Sequence, residues 1–422
     1  MRRRPGGRLR LPALLLLVIP VLHGATPCAA CHAKIAGTYA QTGMARSCYK
    51  PQSIPATRFY HKLSDTWYSM EERGGQYYQR RWRIGYDGRE TEVEEWHIDY
   101  AMGSGNHVRT YLTRTGRGAL VELPLAWYSE NGGTWAMNPG HDREYALPPR
   151  TVAYECMFCH NSYPGIPAGH ERPGSEPLYT GELPEGIGCG RCPGPGAEHI
   201  RLAQTAGAKV EEIRNAIVNP ARLSRDRQME VCMQCHLETT SLQLPHSIVK
   251  YGRSPFSYTP GEPLGSFMLF FDHAPGSGYQ DDFEIAHSAY RLRRSKCFLE
   301  SKMTCLTCHD PHDVPRGAEA AAHYNAVCGQ CHQSLAVQHP KASGCVNCHM
   351  PKRRTQDVIH AVMTDHYIRR RPPADLLAPL SERQEFDRKA VPGRSCSLLS
   401  GAVPADAGEC TLPRGRAGQP AE

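Results

Sequence analysis

Apolar and polar positions alternate most clearly between Phe59 and Trp135. Tyr78, Arg80, Trp82 and Ile84, and then Val108, Thr110 and Leu112, recur with the two-residue period of a strand. Turn signals at Gly74-Gly75, Asp87-Gly88, Gly116 and Gly132-Gly133 divide this stretch. The pattern predicts antiparallel strands forming a β-rich insert over residues 51–150. Helical spacing is clearest over residues 206–218, through Val210, Ile213 and Ile217, and again over 285–294. Residues 241–278 read as loop, interrupted by Pro245, Pro255, Pro260, Pro263 and Pro275. Beyond Pro372 no periodicity remains, and residues 373–422 are expected to be a disordered tail.

One apolar run has a different meaning. Residues 11–22 are twelve consecutive apolar positions preceded by five arginines, which is the layout of a secretory signal and too short to span a bilayer. Residues 1–25 are therefore expected to be a signal peptide and the chain to be exported to the periplasm. Membrane association is expected only if that segment stays uncleaved.

The chemistry lies in a repeated pentapeptide. Cys-x-x-Cys-His occurs six times, at Cys28, Cys31, His32; Cys156, Cys159, His160; Cys232, Cys235, His236; Cys305, Cys308, His309; Cys328, Cys331, His332; and Cys345, Cys348, His349. Random placement of 18 cysteines and 21 histidines in 422 residues gives about 0.04 copies, so the repeat is not accidental. Two cysteines three apart share one side of a helical turn, where both sulfurs can form thioethers with one porphyrin. The following histidine then falls under the iron as proximal ligand. Paired Cys-x-x-Cys also builds zinc sites, but zinc does not require histidine after every second cysteine. The expected cofactor is haem c with its iron, six in number. The proximal ligands are His32, His160, His236, His309, His332 and His349.

A seventh motif is broken. Cys189-Gly-Arg-Cys192-Pro193 keeps both thiols but carries proline, which has no metal-binding side chain, where histidine belongs. The leading expectation is that a seventh haem is absent there, the alternatives being a haem held by a ligand from elsewhere, or a disulfide or free thiols at Cys189 and Cys192. Cys48, Cys297, Cys396 and Cys410 are left over, either as free thiols or in a disulfide.

Fourteen histidines lie outside the six motifs and the signal region, enough to give each iron a distal ligand. Their surroundings single out His61, His107, His199, His312, His323, His360 and His366 as distal candidates. His312 is too close to the motif at His309 to reach its own haem's far face, and could serve a neighbouring iron.

The 49 basic side chains include the five signal-region arginines, and the remaining 44 nearly balance the 42 acidic ones. Propionates would turn the mature protein negative, which removes support for a nucleic-acid partner. The basic stretches 291–296, 352–354 and 369–371 either pair with propionates or remain solvated. With 39 glycines and 34 prolines, the chain is expected to build its interior around porphyrins. The fold class is expected to be a mainly α or irregular multihaem cytochrome c fold with little regular secondary structure, plus a small antiparallel β-rich insert near the N-terminus. Its assignment by segment is 26–50 first haem-binding segment, 51–150 insert and 151–372 multihaem domain.

Longer stretches are shared with a known group. YAQTGMAR at 39–46, GSGNH at 103–107, CMFCHNSYP at 156–164, CMQCHLETT at 232–240, FDHAPG at 271–276 and DVIHAVMTDH at 357–366, together with 186–199 and 305–312, resemble the bacterial multihaem c-type cytochromes of the cytochrome c-554-like family with doubled CxxCH motifs. The likeness covers roughly residues 28–372. It implies a periplasmic redox protein and adds His273 to the distal set of His61, His107, His199, His312, His323, His360 and His366. Pro193 departs from the group's pattern, and the chain ends in a tail without the helical repeats that some members carry.

The leading expectation is an electron-transfer protein, with no catalytic residues, linking a redox-protein donor to an acceptor. The alternative is a haem oxidoreductase, a multihaem reductase or oxidase of a small nitrogen or sulfur compound at a five-coordinate haem. A docking module is a third reading.

Overall fold

A computed structural model describes residues 27–172, 174–239, 246–274, 276, 278–279, 281–333 and 344–382. The expected signal peptide, Cys396, Cys410 and the tail from 383 onward lie outside the described residues.

The expected fold class is corrected by this architecture. Helical residues make up 26% and strand residues 21%, with a seven-stranded and a four-stranded sheet. The protein is neither mainly α nor a cytochrome with a small β insert. The abundant glycine suggested irregular structure, but much of it serves tight connections between strands. Gly74 and Gly75, both at positive φ, close the hairpin between β3 (Thr66–Arg73) and β4 (Gln76–Ile84), where a two-residue turn requires that conformation.

Every strand pairing named here is antiparallel. The four-stranded sheet runs β2 (Thr57–His61), β3, β4, β5 (Glu90–His97). Its edge strand β5 is almost wholly exposed and charged, and Glu90, Glu94 and Glu95 pair with Arg80, Arg81 and Arg73 on neighbouring elements. Charge on an edge strand discourages further strand pairing. The second sheet is ordered β1 (Cys48–Tyr49), β6 (Tyr100–Met102), β7 (Val108–Arg114), β8 (Leu120–Glu122), β11 (Arg150–Thr151). Strand β7 also pairs β9 (Leu125–Tyr128), which pairs β10 (Thr134–Met137). Tyr68 and Met70 from β3 pack with Tyr111, Leu123, Leu125 and Met137 in a core between the sheets. The buried Gln79 joins them: its amide donates to the Leu125 carbonyl (3.1 Å) and accepts from the Leu125 N–H (2.9 Å).

The remaining chain is built from short helices. The motifs lie on or at the ends of Pro27–Ala30, Tyr154–His160, Arg225–His236, Cys305–Thr307, Gly317–Cys331 and Cys345–His349. The helix predicted over 206–218 is confined to Val210–Asn215, and that over 285–294 to Ser288–Leu292. Within the proline-rich stretch read as loop, Ser247–Val249 pairs with Met268–Phe270 beside the helical turn Leu264–Phe267. Phe158, Met229, Met233, Phe267 and Phe298 form this half's core, against which Cys159, Cys235 and Cys305 pack.

The halves are stitched together at several points. Met157 and Tyr154 share a core with Leu112 and Leu120. Ser47 Oγ donates to the His160 carbonyl (2.8 Å), and Arg354 reaches Glu130 with two bonds of 2.9 and 2.7 Å. The first ten residues assigned to the tail are docked as well. Arg354 N–H donates to Leu376 O (2.8 Å), and Glu382 accepts from the Gly140 N–H (2.6 Å).

Candidate functional site

Successive motifs are brought into contact by the short helices. The Cys159 thiol lies beside Cys235, and Cys232 beside Cys305, which joins the second, third and fourth motifs. Cys328 likewise meets Cys345, joining the fifth and sixth. The helix Gly317–Cys331 links these groups: it carries Cys328 and Cys331, and its Tyr324 hydroxyl lies 3.1 Å from His309 Nδ1. Burial pushes the Cys156 and Cys308 thiols up, and Cys328 to about 11.

Two pairs of imidazole rings stand at the separation that two ligands of one metal ion would have. The rings of His32 and His199 are 6.3 Å apart and 18° from parallel, and those of His309 and His366 are 6.2 Å apart at 38°. Two imidazoles on a common metal, each with a bond of about 2.0 Å and a ring centre about 1.1 Å further on, are separated by about 6.2 Å. Each pair joins a motif histidine to a residue expected as a distal ligand.

Hydrogen bonding prepares the same rings. A carbonyl oxygen can only accept, so a ring nitrogen bonded to one must carry the proton, leaving the other lone pair for a metal. His199 Nδ1 donates to Ile213 O (2.8 Å), His366 Nδ1 to Thr364 O (3.1 Å) and His107 Nδ1 to Val362 O (2.9 Å). Motif residue His349 donates in the same way to Arg369 O (2.9 Å). Burial holds His107, His160, His236 and His366 below the usual imidazole range, and His309 down to about 4. These rings are neutral at pH 7, the form that binds a metal.

Other expected distal ligands are engaged differently. His61 has both nitrogens occupied, Nδ1 by Ser64 Oγ (2.7 Å) and Nε2 by Asp142 (2.9 Å). His360 Nε2 lies 3.4 Å from the same carboxylate. His323 Nε2 donates to Cys308 O (3.0 Å), His312 Nδ1 is bonded to Asp310 (3.2 Å), and His273 stacks on Tyr279 at 4.0 Å. As arranged, the Asp142 carboxylate takes the nitrogens of His61 and His360 that would face a metal.

At the broken motif, Cys189–Arg191 form a single helical turn and the Pro193 carbonyl accepts from Val218 N–H (3.2 Å). Burial pushes Cys192 up to about 12. Arg191 is 2% exposed, donates to Phe158 O (2.8 Å) and lies 4.2 Å over the Phe158 ring, with Cys159, Cys192 and Cys235 around its charge. Cys48 is fully buried in the core joining the halves, and both Cys48 and Cys297 are free thiols.

The residues fit haem beyond the thiol and imidazole donors. Arg191 Nε, Arg294 Nη1 and Arg369 Nε are buried without a hydrogen-bond acceptor, as expected where a carboxylate-bearing group belongs. Sequence reasoning missed Asp142 and Asp365, because a carboxylate's role here depends on neighbours from distant segments. It also missed three clustered acids, Glu238, Glu284 and Asp357.

Residues 299–337, which include the motifs ending at His309 and His332, match the family model of the doubled CXXCH motif. No curated protein and no solved structure matches the chain. The doubled motif indicates covalently bound haem c with its iron and supports a multihaem c-type cytochrome.

Proposed function

We propose that this chain is a periplasmic electron carrier of the cytochrome c-554-like type, holding six haems and exchanging electrons with donor and acceptor redox proteins. The observation that carries this reading is the spacing of His32 with His199 and of His309 with His366. His32 with His199 and His309 with His366 would hold their two irons between two imidazoles and leave no open position there for a substrate, which favours transfer over catalysis. When bound, haem supplies a reversible one-electron couple at each site. The protein's own part is to fix the imidazoles through main-chain carbonyls, keep them neutral by burial and bring successive motifs into contact. The leader-like N-terminus supports export, because thiol-linked haem is attached after translocation.

The test is spectroscopic. His199→Ala and His366→Ala should each convert one low-spin ferric haem to high-spin, read by electron paramagnetic resonance, with the haem count by intact mass unchanged. Ferric spectra identical to the parent's in both variants would remove the reading, and so would a high-spin iron in the unmodified protein that binds small oxyanions.

A further inference from the structure

The three basic stretches that stand apart in sequence meet in one place. Arg291 grips Asp365 with two bonds (Nε 2.9 Å, Nη2 2.7 Å) and reaches Asp281 (3.1 Å), and both Arg291 and Asp365 are fully buried. Arg369 approaches the same carboxylates at 3.2 and 3.3 Å. Arg353 lies 3.4 Å from Asp281 and 3.7 Å from Asp365, and donates to the Asp281 carbonyl (2.6 Å). Arg294 stands beside them, 5.3 Å over the Tyr367 ring that Arg291 and Arg369 also cover.

The charges do not balance. Three guanidinium groups share two carboxylates, and Arg294 adds a fourth cation. Arg294 Nη1 and Arg369 Nε remain buried without a hydrogen-bond acceptor, and Arg353 Nη1 meets the two carboxylates only at ion-pair distance. A partly buried cluster with surplus positive charge, open to solvent on its Asp281 side, and with unused donors is an incomplete anion site. Its position selects the anion. Arg353 follows His349 by four residues, and Arg369 O accepts a hydrogen bond from His349 Nδ1. Asp365 precedes His366, and Ser295 Oγ bonds the His366 carbonyl (3.3 Å) and the Ile368 N–H (2.9 Å), clamping the segment.

We propose that Arg353 and Arg369, held in place by Asp281, Asp365 and Arg291, bind the propionate carboxylates of the haem attached at Cys345 and Cys348. This rests on the haem reading above. Paired guanidinium donors suit carboxylates because their fork matches two oxygens. Their charge also favours the reduced iron, so the cluster sets that haem's potential.

The experiment uses full-length matured protein carrying Arg353→Gln, Arg369→Gln or Arg353→Lys. Haem count by intact mass comes first. Spectroelectrochemical titration and the propionate bending bands in resonance Raman follow. Both glutamine variants should keep the parent's haem count, lower the potential of one haem and shift one propionate band, and Arg353→Lys should recover most of the potential. Unmoved potentials and bands in both glutamine variants, or an equal displacement of all haems, overturn the assignment. Parent protein without haem at Cys345 and Cys348 would instead overturn the reading beneath it.

Discussion

Glu284 and Asp357 are buried against each other, with Glu238 close by, and burial pushes all three above the usual carboxylate range, while neighbouring carboxylates push Glu284 and Asp357 further. Main-chain N–H groups of Ile285 (3.0 Å to Asp357) and Ala286 (2.9 Å to Glu238) meet the acids. The folded protein therefore binds protons here that the unfolded chain releases above the ordinary carboxylate range. Stability from this cluster is complete in acid and declines as pH rises towards the raised folded values. Glu284→Gln removes one of these groups. It should be more stable than the parent at pH 8 by roughly 2 kcal/mol, with the difference gone near pH 4. Urea unfolding across that range checks it, and a difference independent of pH contradicts it. His141 works in the opposite sense. It is 4% exposed, and burial lowers it to about 4. Its contribution is full above the ordinary imidazole range and is lost as pH falls from there towards 4. His141→Gln should show a shallower decline than the parent over that acid window, since His107, His160, His236, His309 and His366 titrate there too, and the same titration measures it.

Among elements, the turn between β6 and β7 shows how backbone geometry reaches the site. Gly103 adopts φ +91°, and a Cβ there would stand 2.5 Å from the Val108 carbonyl. The turn delivers His107, whose ring bonds the segment at Val362. Gly103→Ala should cost about 2–3 kcal/mol, while Gly116→Ala, which meets nothing within 4 Å, should stay within about 0.5 kcal/mol. Paired denaturant midpoints test both. Strands were legible in sequence because alternation and glycine doublets are local signals. Their partners were not: β1 pairs with β6 across some fifty residues, and β7 serves both β8 and β9. The same limit governs the site. The motifs state their thiols and proximal histidines outright, but a second ligand is chosen by a distant carbonyl or carboxylate. His199 looks to Ile213 and His107 to Val362, while Asp142 engages both His61 and His360.

Across the whole molecule, the two halves depend differently on the cofactor. The core between the sheets uses Tyr68, Met70, Tyr111 and Leu125 and contains no motif residue. The other half packs Cys159, Cys235 and Cys305 against its core. Chain matured without haem attachment should retain the β-sheet circular dichroism and tryptophan emission of residues 57–137. Limited proteolysis followed by mass mapping should cut it preferentially beyond residue 160. Equal protection of both halves would show that the second half folds on side chains alone.

The arginine inside the incomplete motif limits what a genetic reversion can achieve. Histidine restored at position 193 returns the missing donor, yet Arg191 still fills the ground among Cys159, Cys192 and Cys235. Pro193→His alone should leave the protein's mass at the parental cofactor number, and only Pro193→His with Arg191→Ala should gain a further porphyrin. Gain of a further centre is then an epistatic problem in which the order of changes matters, since clearing the arginine first removes a buried cation's contacts before any replacement is in place.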